Sequence, residues 1–286
     1  FAAALAGVGP FVNTYAIACI AAGCPSTNIN PVAGQLLVTD VAIGSDGLPL
    51  MTAHISVSGA FVVIKCNDFD CSSFSQNVVQ DEADSLGTQA SIAFAPDGLP
   101  LIAFDNQTGG KLRVVKCNDA RCAPGGETFG IPLATFDNIA EHFSLVVPAD
   151  GFPVIALQQV SFMTPTTYKL LVVRCNDPLC QGFGEPSTIV DAGSGVRGVR
   201  ARIGIGPNGF PVVAHAITAP NAVRVIECDD PACADGNDPV VRTVVLSSAA
   251  PPVVQIASRA GALAILVAES GGTFRSTLIR CRAGGC

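Results

Sequence analysis

Twelve cysteines fall into six Cys-x4-Cys pairs: Cys19/Cys24, Cys66/Cys71, Cys117/Cys122, Cys175/Cys180, Cys228/Cys233 and Cys281/Cys286. Thiols in pairs can ligate a soft metal, anchor haem or oxidise to disulfides. Zinc sites bring two pairs together, usually at closer spacing, or add His partners. Pairs separated by steps of 47 to 58 residues sit on separate units, too far apart to share an ion. Haem attachment wants a His directly after the second Cys, and none follows any pair. The expectation is six local disulfides, Cys19–Cys24 through Cys281–Cys286, with each pair facing across a strand ladder in an oxidising compartment. A loop this short limits each bridge to roughly 2 kcal/mol by chain entropy. No metal and no cofactor is expected.

Other groups could bind or react. Asn67-Asp68, Asn118-Asp119, Asn176-Asp177 and Asp229-Asp230 recur between the paired cysteines. Clustered carboxylates suit calcium, but Asn and Asp also stabilise turns by bonding their own backbone. The first and last copies replace them with Ile20-Ala21 and Arg282-Ala283, which favours the turn role. Three histidines, His54, His142 and His215, have no Ser and Asp arrangement that would make a nucleophilic triad. They read as strand residues, and no catalytic residue is assigned. Counting back eight or six residues from each repeated Asp-Gly or Asn-Gly turn reaches the start of the first strand of each unit. That places Asp40, Gln89, His142, Arg200 and Arg202, with Glu141 next to His142, around one opening, a concave and mixed-charge candidate binding site. Asn106-Gln107-Thr108 fits a glycosylation acceptor, and Thr164, Thr166 and Thr167 lie in the longest insertion. Sugar sites lean on aromatic faces, whereas this chain has no Trp and only Tyr15 and Tyr168.

The elements that carry these residues follow from a second landmark. Asp46-Gly47-Leu48-Pro49, Asp97-Gly98-Leu99-Pro100, Asp150-Gly151-Phe152-Pro153 and Asn208-Gly209-Phe210-Pro211 precede successive Cys pairs, with a worn copy at Ala260–Leu263. From Gly to the next Cys the counts are 19, 19, 24, 19 and 20. Asp-Gly and Asn-Gly between apolar runs signal tight hairpins, because Gly accepts positive φ. In the copy around Asp97 the chain parses into strands Ser91–Ala95, Leu99–Phe104 and Lys111–Cys117, then a weaker one near Glu127–Ile131. Length and β-branched content argue strand throughout. Units of about 50 residues cannot bury a core singly and must share one.

Four antiparallel strands per unit and six units predict an all-β, six-bladed β-propeller as a single domain over residues 1–286. Its repeats end near 24, 71, 122, 180, 233 and 286, with one Cys-x4-Cys disulfide per four-stranded blade and incomplete terminal blades. The Asp-Gly-x-Pro turns and the strand ends Val63–Asp68, Val114–Asp119 and Val172–Asp177 resemble NHL-type and related Asp-Gly-x-Pro propeller repeats of secreted bacterial proteins. That resemblance implies architecture rather than activity. The first copy has room only for strands at Ala2–Ala6 and Asn13–Cys19, and the last stops at Cys286.

A net charge of −7 and a pI near 4.8 lack the cationic footprint that phosphate backbones require, so nucleic acid is not an expected partner. The uncharged run to Thr39 is broken by Gly7, Gly9, Pro10 and Asn13 and has no basic start, so it predicts neither a membrane span nor a signal. Apolar residues reach 49% and charged residues only 14%. Either buried strand dominates, or copies of the chain or glycan cover its surface. The leading expectation is a secreted, self-associating structural protein, a subunit of an extracellular filament or surface layer, whose partner is itself. The alternative is an extracellular binding module for a glycan, peptide or protein. A propeller lyase or hydrolase ranks third.

Overall fold

The computed structural model describes residues 13–19, 27–34, 36–55, 60–79, 86–106, 111–133, 139–162, 165–182, 185–193, 195–218, 220–234, 240–247, 252–259, 262–269, 275–282 and 285–286. All of its regular elements are strands, and the chain is an all-β propeller of antiparallel blades. Two units, Phe1–Gly109 with Arg113–Phe129, and Gly110–Leu112 with Gly130–Cys286, are taken separately.

In the first unit, β1 (Asn13–Cys19) and β2 (Thr27–Gly34) pair only with each other. One blade follows as β3 (Leu36–Ile43), β4 (Pro49–Ile55), β5 (Phe61–Cys66) and β6 (Phe74–Val78). The next runs β7 (Leu86–Phe94), β8 (Pro100–Asn106), β9 (Lys111–Lys116) and β10 (Thr128–Gly130). The second unit holds β11 (Ile139–Val146), β12 (Val154–Ser161), β13 (Thr167–Arg174) and β14 (Ser187–Ala192). Then come β15 (Val199–Ile205), β16 (Pro211–Ile217), β17 (Ala222–Glu227) and β18 (Val240–Val245). A last sheet has three strands, β19 (Val253–Arg259), β20 (Ala262–Glu269) and β21 (Arg275–Cys281).

The described residues therefore form five blades, not the six expected. Counting Cys pairs counts the turns between third and fourth strands, and the first such turn belongs to a two-stranded ribbon. A ribbon of that kind has too little surface to stand as a blade. The expected strand Ala2–Ala6 and the Cys19–Cys24 bridge lie outside the described residues. The other five disulfides form as expected, with Cα atoms 4.0–5.1 Å apart.

Their setting differs from the expected ladder position. In the four four-stranded blades the second cysteine ends a turn ahead of the outer strand. Cys71, Cys122, Cys180 and Cys233 donate their N–H to the carbonyls of Asp68, Asp119, Asp177 and Asp230. All four take left-handed backbone, with φ between 49° and 56°. Side chains rarely accept that region, so the bridge holds each of these cysteines where Gly would ordinarily sit.

The core lies between neighbouring blades. Leu50, Phe61 and Val63 of one blade pack on Ile92, Ile102 and Phe104 of the next, and Phe61 stacks on Phe104 with ring centroids 5.4 Å apart. In the second unit Val154, Leu170 and Val172 meet Ile203, Val213 and Ile226, while Val212, Val223 and Val225 meet Val254, Ile265 and Val267. Middle strands are thus sandwiched on both faces: β5 and β16 are buried along their whole length. Apolar residues of the middle strands thus fill the interfaces between blades.

Candidate functional site

The repeated carboxylates are absorbed by the frame. At the Asp-Gly turns, the Asp46, Asp97 and Asp150 side chains accept the N–H two residues on, at 2.9–3.0 Å. Each also pairs with the cation that directly precedes the next Cys. Asp46 meets Lys65 at 2.8 Å, Asp97 meets Lys116, and Asp150 meets Arg174 at 2.6 Å. Partial burial works against ionisation of these aspartates. The paired cation and the turn N–H outweigh it and hold all three below the ordinary carboxylate range. In the fourth copy both partners change together. Asn208 replaces the Asp and Glu227 replaces the cation, and Asn208 Nδ2 donates to the Cys228 carbonyl at 3.3 Å.

The Asp residues between the cysteines also serve the backbone. Asp68 accepts from the N–H and hydroxyl of both Ser72 and Ser73 at 2.7–3.1 Å, and the Ser72 hydroxyl leads the interactions that hold it well below the ordinary range. Asp177 accepts from Leu179, Gln181 and Gly182, and Asp230 from Ala232 and Ala234. Among the described residues, no group of three or more His, Cys, Asp or Glu side chains is placed to hold a metal ion.

The candidate binding residues fall on the innermost strands, within them rather than at their starts. Four of these strands break register at the same repeat position: β3 between Val38 and Asp40, β7 between Leu86 and Ala90, β11 between Ile139 and Phe143, and β15 between Val199 and Arg202. Such bulges re-aim side chains and recur beside binding sites. In the first unit Asp40 is half-buried and bonded twice. One oxygen accepts the Val41 N–H at 2.9 Å, and the other accepts the Ile92 N–H of the neighbouring β7 at 2.9 Å. Gln89 is held through its own N–H by Asp105 at 2.9 Å.

In the second unit β11 and β15 lie side by side. They bring half-buried His142 onto the strand next to Arg200 and Arg202. Glu141 lies on β11, its side chain outside those described. Arg202 donates to the Ala201 carbonyl at 3.1 Å. Arg200 has a φ of 51°, the one described residue apart from Gly and Cys in the left-handed region, at a strain of about 1 kcal/mol. Of the modification candidates, Thr166 and Thr167 are exposed. Asn106 ends β8 with its side chain outside those described, and Thr164 lies outside the described residues altogether.

A second cluster escaped the sequence reading. Asp191 on β14 is buried and accepts both of its hydrogen bonds from Arg224 Nη1 on β17, each at 3.0 Å. Arg197 Nε lies 3.6 Å from it, and the Nε2 of fully buried His215 lies 3.1 Å away. Burial opposes the charge on Asp191, but His215 and then Arg224 keep its carboxyl below the ordinary range. His215 Nδ1 lies 3.1 Å from the Gly198 N and 3.3 Å from the Ala216 carbonyl. Gln158 Nε2 of β12 donates to the Arg197 carbonyl. A Cβ on Gly198, whose φ is 78°, would come within 3.0 Å of Gln158 Cβ. These contacts pin residues 196–198, which lead into the bulge at Arg200. No local motif announces the cluster, because Asp191 and Arg197 meet His215 and Arg224 of the next blade only once the two blades pack.

Comparison with known proteins places the fold. Similar solved structures include a protein of unknown function from Dyadobacter fermentans (TM-score 0.63, 8% identity, covering 86% of this chain and 80% of that one). Another is an α-L-arabinanase from Penicillium chrysogenum complexed with arabinobiose (TM-score 0.59, 11% identity, 95% and 86% covered). A third is an α-L-arabinofuranosidase from Lactobacillus brevis (TM-score 0.55, 9% identity, 86% and 90% covered). No protein-family model matches the chain, and no curated protein matches it. At these identities the likeness establishes a β-propeller fold and no family, and it does not show the NHL-type repeat that the turns resemble. The expected filament or layer subunit is corrected with it: sharing a fold with sugar-hydrolysing propellers favours a hydrolase or a binding module.

Proposed function

We propose that this chain is an extracellular glycan-binding propeller module. The fold it shares with a propeller seen with arabinobiose supports a saccharide ligand, and the disulfide in each described blade supports an oxidising, extracellular setting. The bulged positions of the inner strands supply polar and charged side chains. The observation that carries binding over cleavage is Asp40. Glycosidases of the common kind need two free carboxyl groups, one to protonate the leaving oxygen and one to attack or activate water. Asp40 is the one carboxylate among the described inner-strand side chains, where two are needed, and each of its oxygens accepts a backbone N–H.

The second reading, a hydrolase, rests on the arabinanase and arabinofuranosidase neighbours. Isothermal titration of the folded chain with a panel of soluble polysaccharides tests the proposal. Saturable binding to at least one polymer is the expected result, and no binding to any of them refutes it.

A further inference from the structure

We infer that Arg200 is the anchor for an anionic glycan, one bearing carboxylate or sulfate groups; this rests on the glycan-binding reading and names its ligand class. The corner on which Arg200 stands is built rather than incidental. Gly198 gives its N–H to buried His215, its carbonyl takes the Ala201 N–H at 3.2 Å, and its α-carbon packs against Gln158. Behind it, Asp191 is clasped by Arg224 and flanked by Arg197 and His215.

That support holds a bulky residue in backbone that Gly would take without strain. Packing does not explain the choice, since Arg200 is only half-buried and has no hydrogen-bond or ion-pair partner among the described residues. Residues held in such conformations cluster where a side chain must be presented to a ligand. A guanidinium offers a planar fork that grips a carboxylate or sulfate through two parallel hydrogen bonds. Arg202 on the same strand adds a second cation, against Glu141, the one acidic residue of the adjoining β11.

The aromatic content points the same way. A neutral sugar is gripped mainly by ring faces, and the chain has no Trp and two Tyr. An acidic sugar can be held by charge instead. The protein's net charge of −7 opposes polyanions in general, so recognition must come from a local cationic spot.

The test titrates the folded chain with polygalacturonate, dextran sulfate, neutral arabinan and poly-glutamate, and repeats it with R200G and R200Q. R200G removes the guanidinium and the backbone strain together, so its Tm should be unchanged or raised by about 2 °C. R200Q removes the charge and keeps the side chain. The expected result is binding of an acidic polysaccharide that weakens with salt and falls about tenfold or more in both variants. Unchanged affinity in both variants overturns the inference. So does binding of poly-glutamate alone, which would make the ligand an acidic peptide. Binding of neutral arabinan that ignores the variants overturns the anion assignment and leaves the glycan-binding reading standing. No binding of any polymer removes both.

Discussion

The left-handed cysteines give the sharpest test of how the blades are clasped. Cys180 has a φ of 49° and is bridged to Cys175, which is not in that region. Replacing the pair as C175S/C180G or as C175G/C180S yields isomers of identical composition, so their unfolded chains are nearly equivalent. Both lose the bridge, at about 2 kcal/mol for so short a loop. In the first isomer Gly occupies the left-handed position and relieves about 1 kcal/mol of strain. In the second the strain stays and Gly loosens the end of the buried third strand, a further cost of about 0.5–1 kcal/mol. The first isomer should therefore be more stable by about 2 kcal/mol. Asp177 keeps its bonds to the N–H groups of Leu179, Gln181 and Gly182, so the turn survives in both. Urea denaturation followed by circular dichroism reads the difference as a shift in midpoint. Equal midpoints, or the reverse order, would show that backbone strain at the second cysteine plays no part.

Other expectations follow from the same contacts. N208D removes the donor to the Cys228 carbonyl and sets a carboxylate near Glu227, so it should cost about 1–2 kcal/mol in thermal melts, with N208D/E227K recovering most of the loss. D191N leaves Arg224 facing a neutral amide in a buried site and should cost about 3–5 kcal/mol, read by denaturant titration. The carboxyl of Asp191 is held below its ordinary value of 3.8. Its contribution is therefore complete above that value and fades as pH falls through the lower folded value, so D191N should flatten the acid limb of a stability–pH curve. F104A opens a cavity against Phe61 between two blades and should cost about 3–5 kcal/mol, with an unchanged midpoint counting against the stacked core.

The frame was legible in the sequence because its signals are local. The Asp-Gly turns, the Cys spacing and the strand lengths each act within a few residues. The strand expected at Asn13–Cys19 matches β1, and the turn role of the Asn-Asp pairs is borne out by their hydrogen bonds. Blade number was misread because a cysteine pair marks one turn and says nothing of how many strands join it. The partnership of Asp46 with Lys65, 19 residues apart, was hidden in a repeated pattern. In hindsight the joint change to Asn208 and Glu227 reveals it. Counting from the turns puts Asp40, Arg200 and Arg202 on the first strand of each blade but does not reveal the bulges beside them. A bulge depends on pairing with the next strand, which spacing does not report. The Asp191 cluster was illegible for the same reason: it exists only once two blades pack.

In the proposed reading the inner strands bind a glycan without cutting it, with Asp40 bonded to the N–H groups of Val41 and Ile92. The most direct measurement is the chain length of polysaccharide recovered after prolonged incubation on immobilised protein, for wild type and D40N side by side. Polymer retained by the wild-type chain and recovered at full length is the predicted result. Shortened polymer from the wild type, with full-length polymer from D40N, would contradict the account and make Asp40 part of a hydrolytic site.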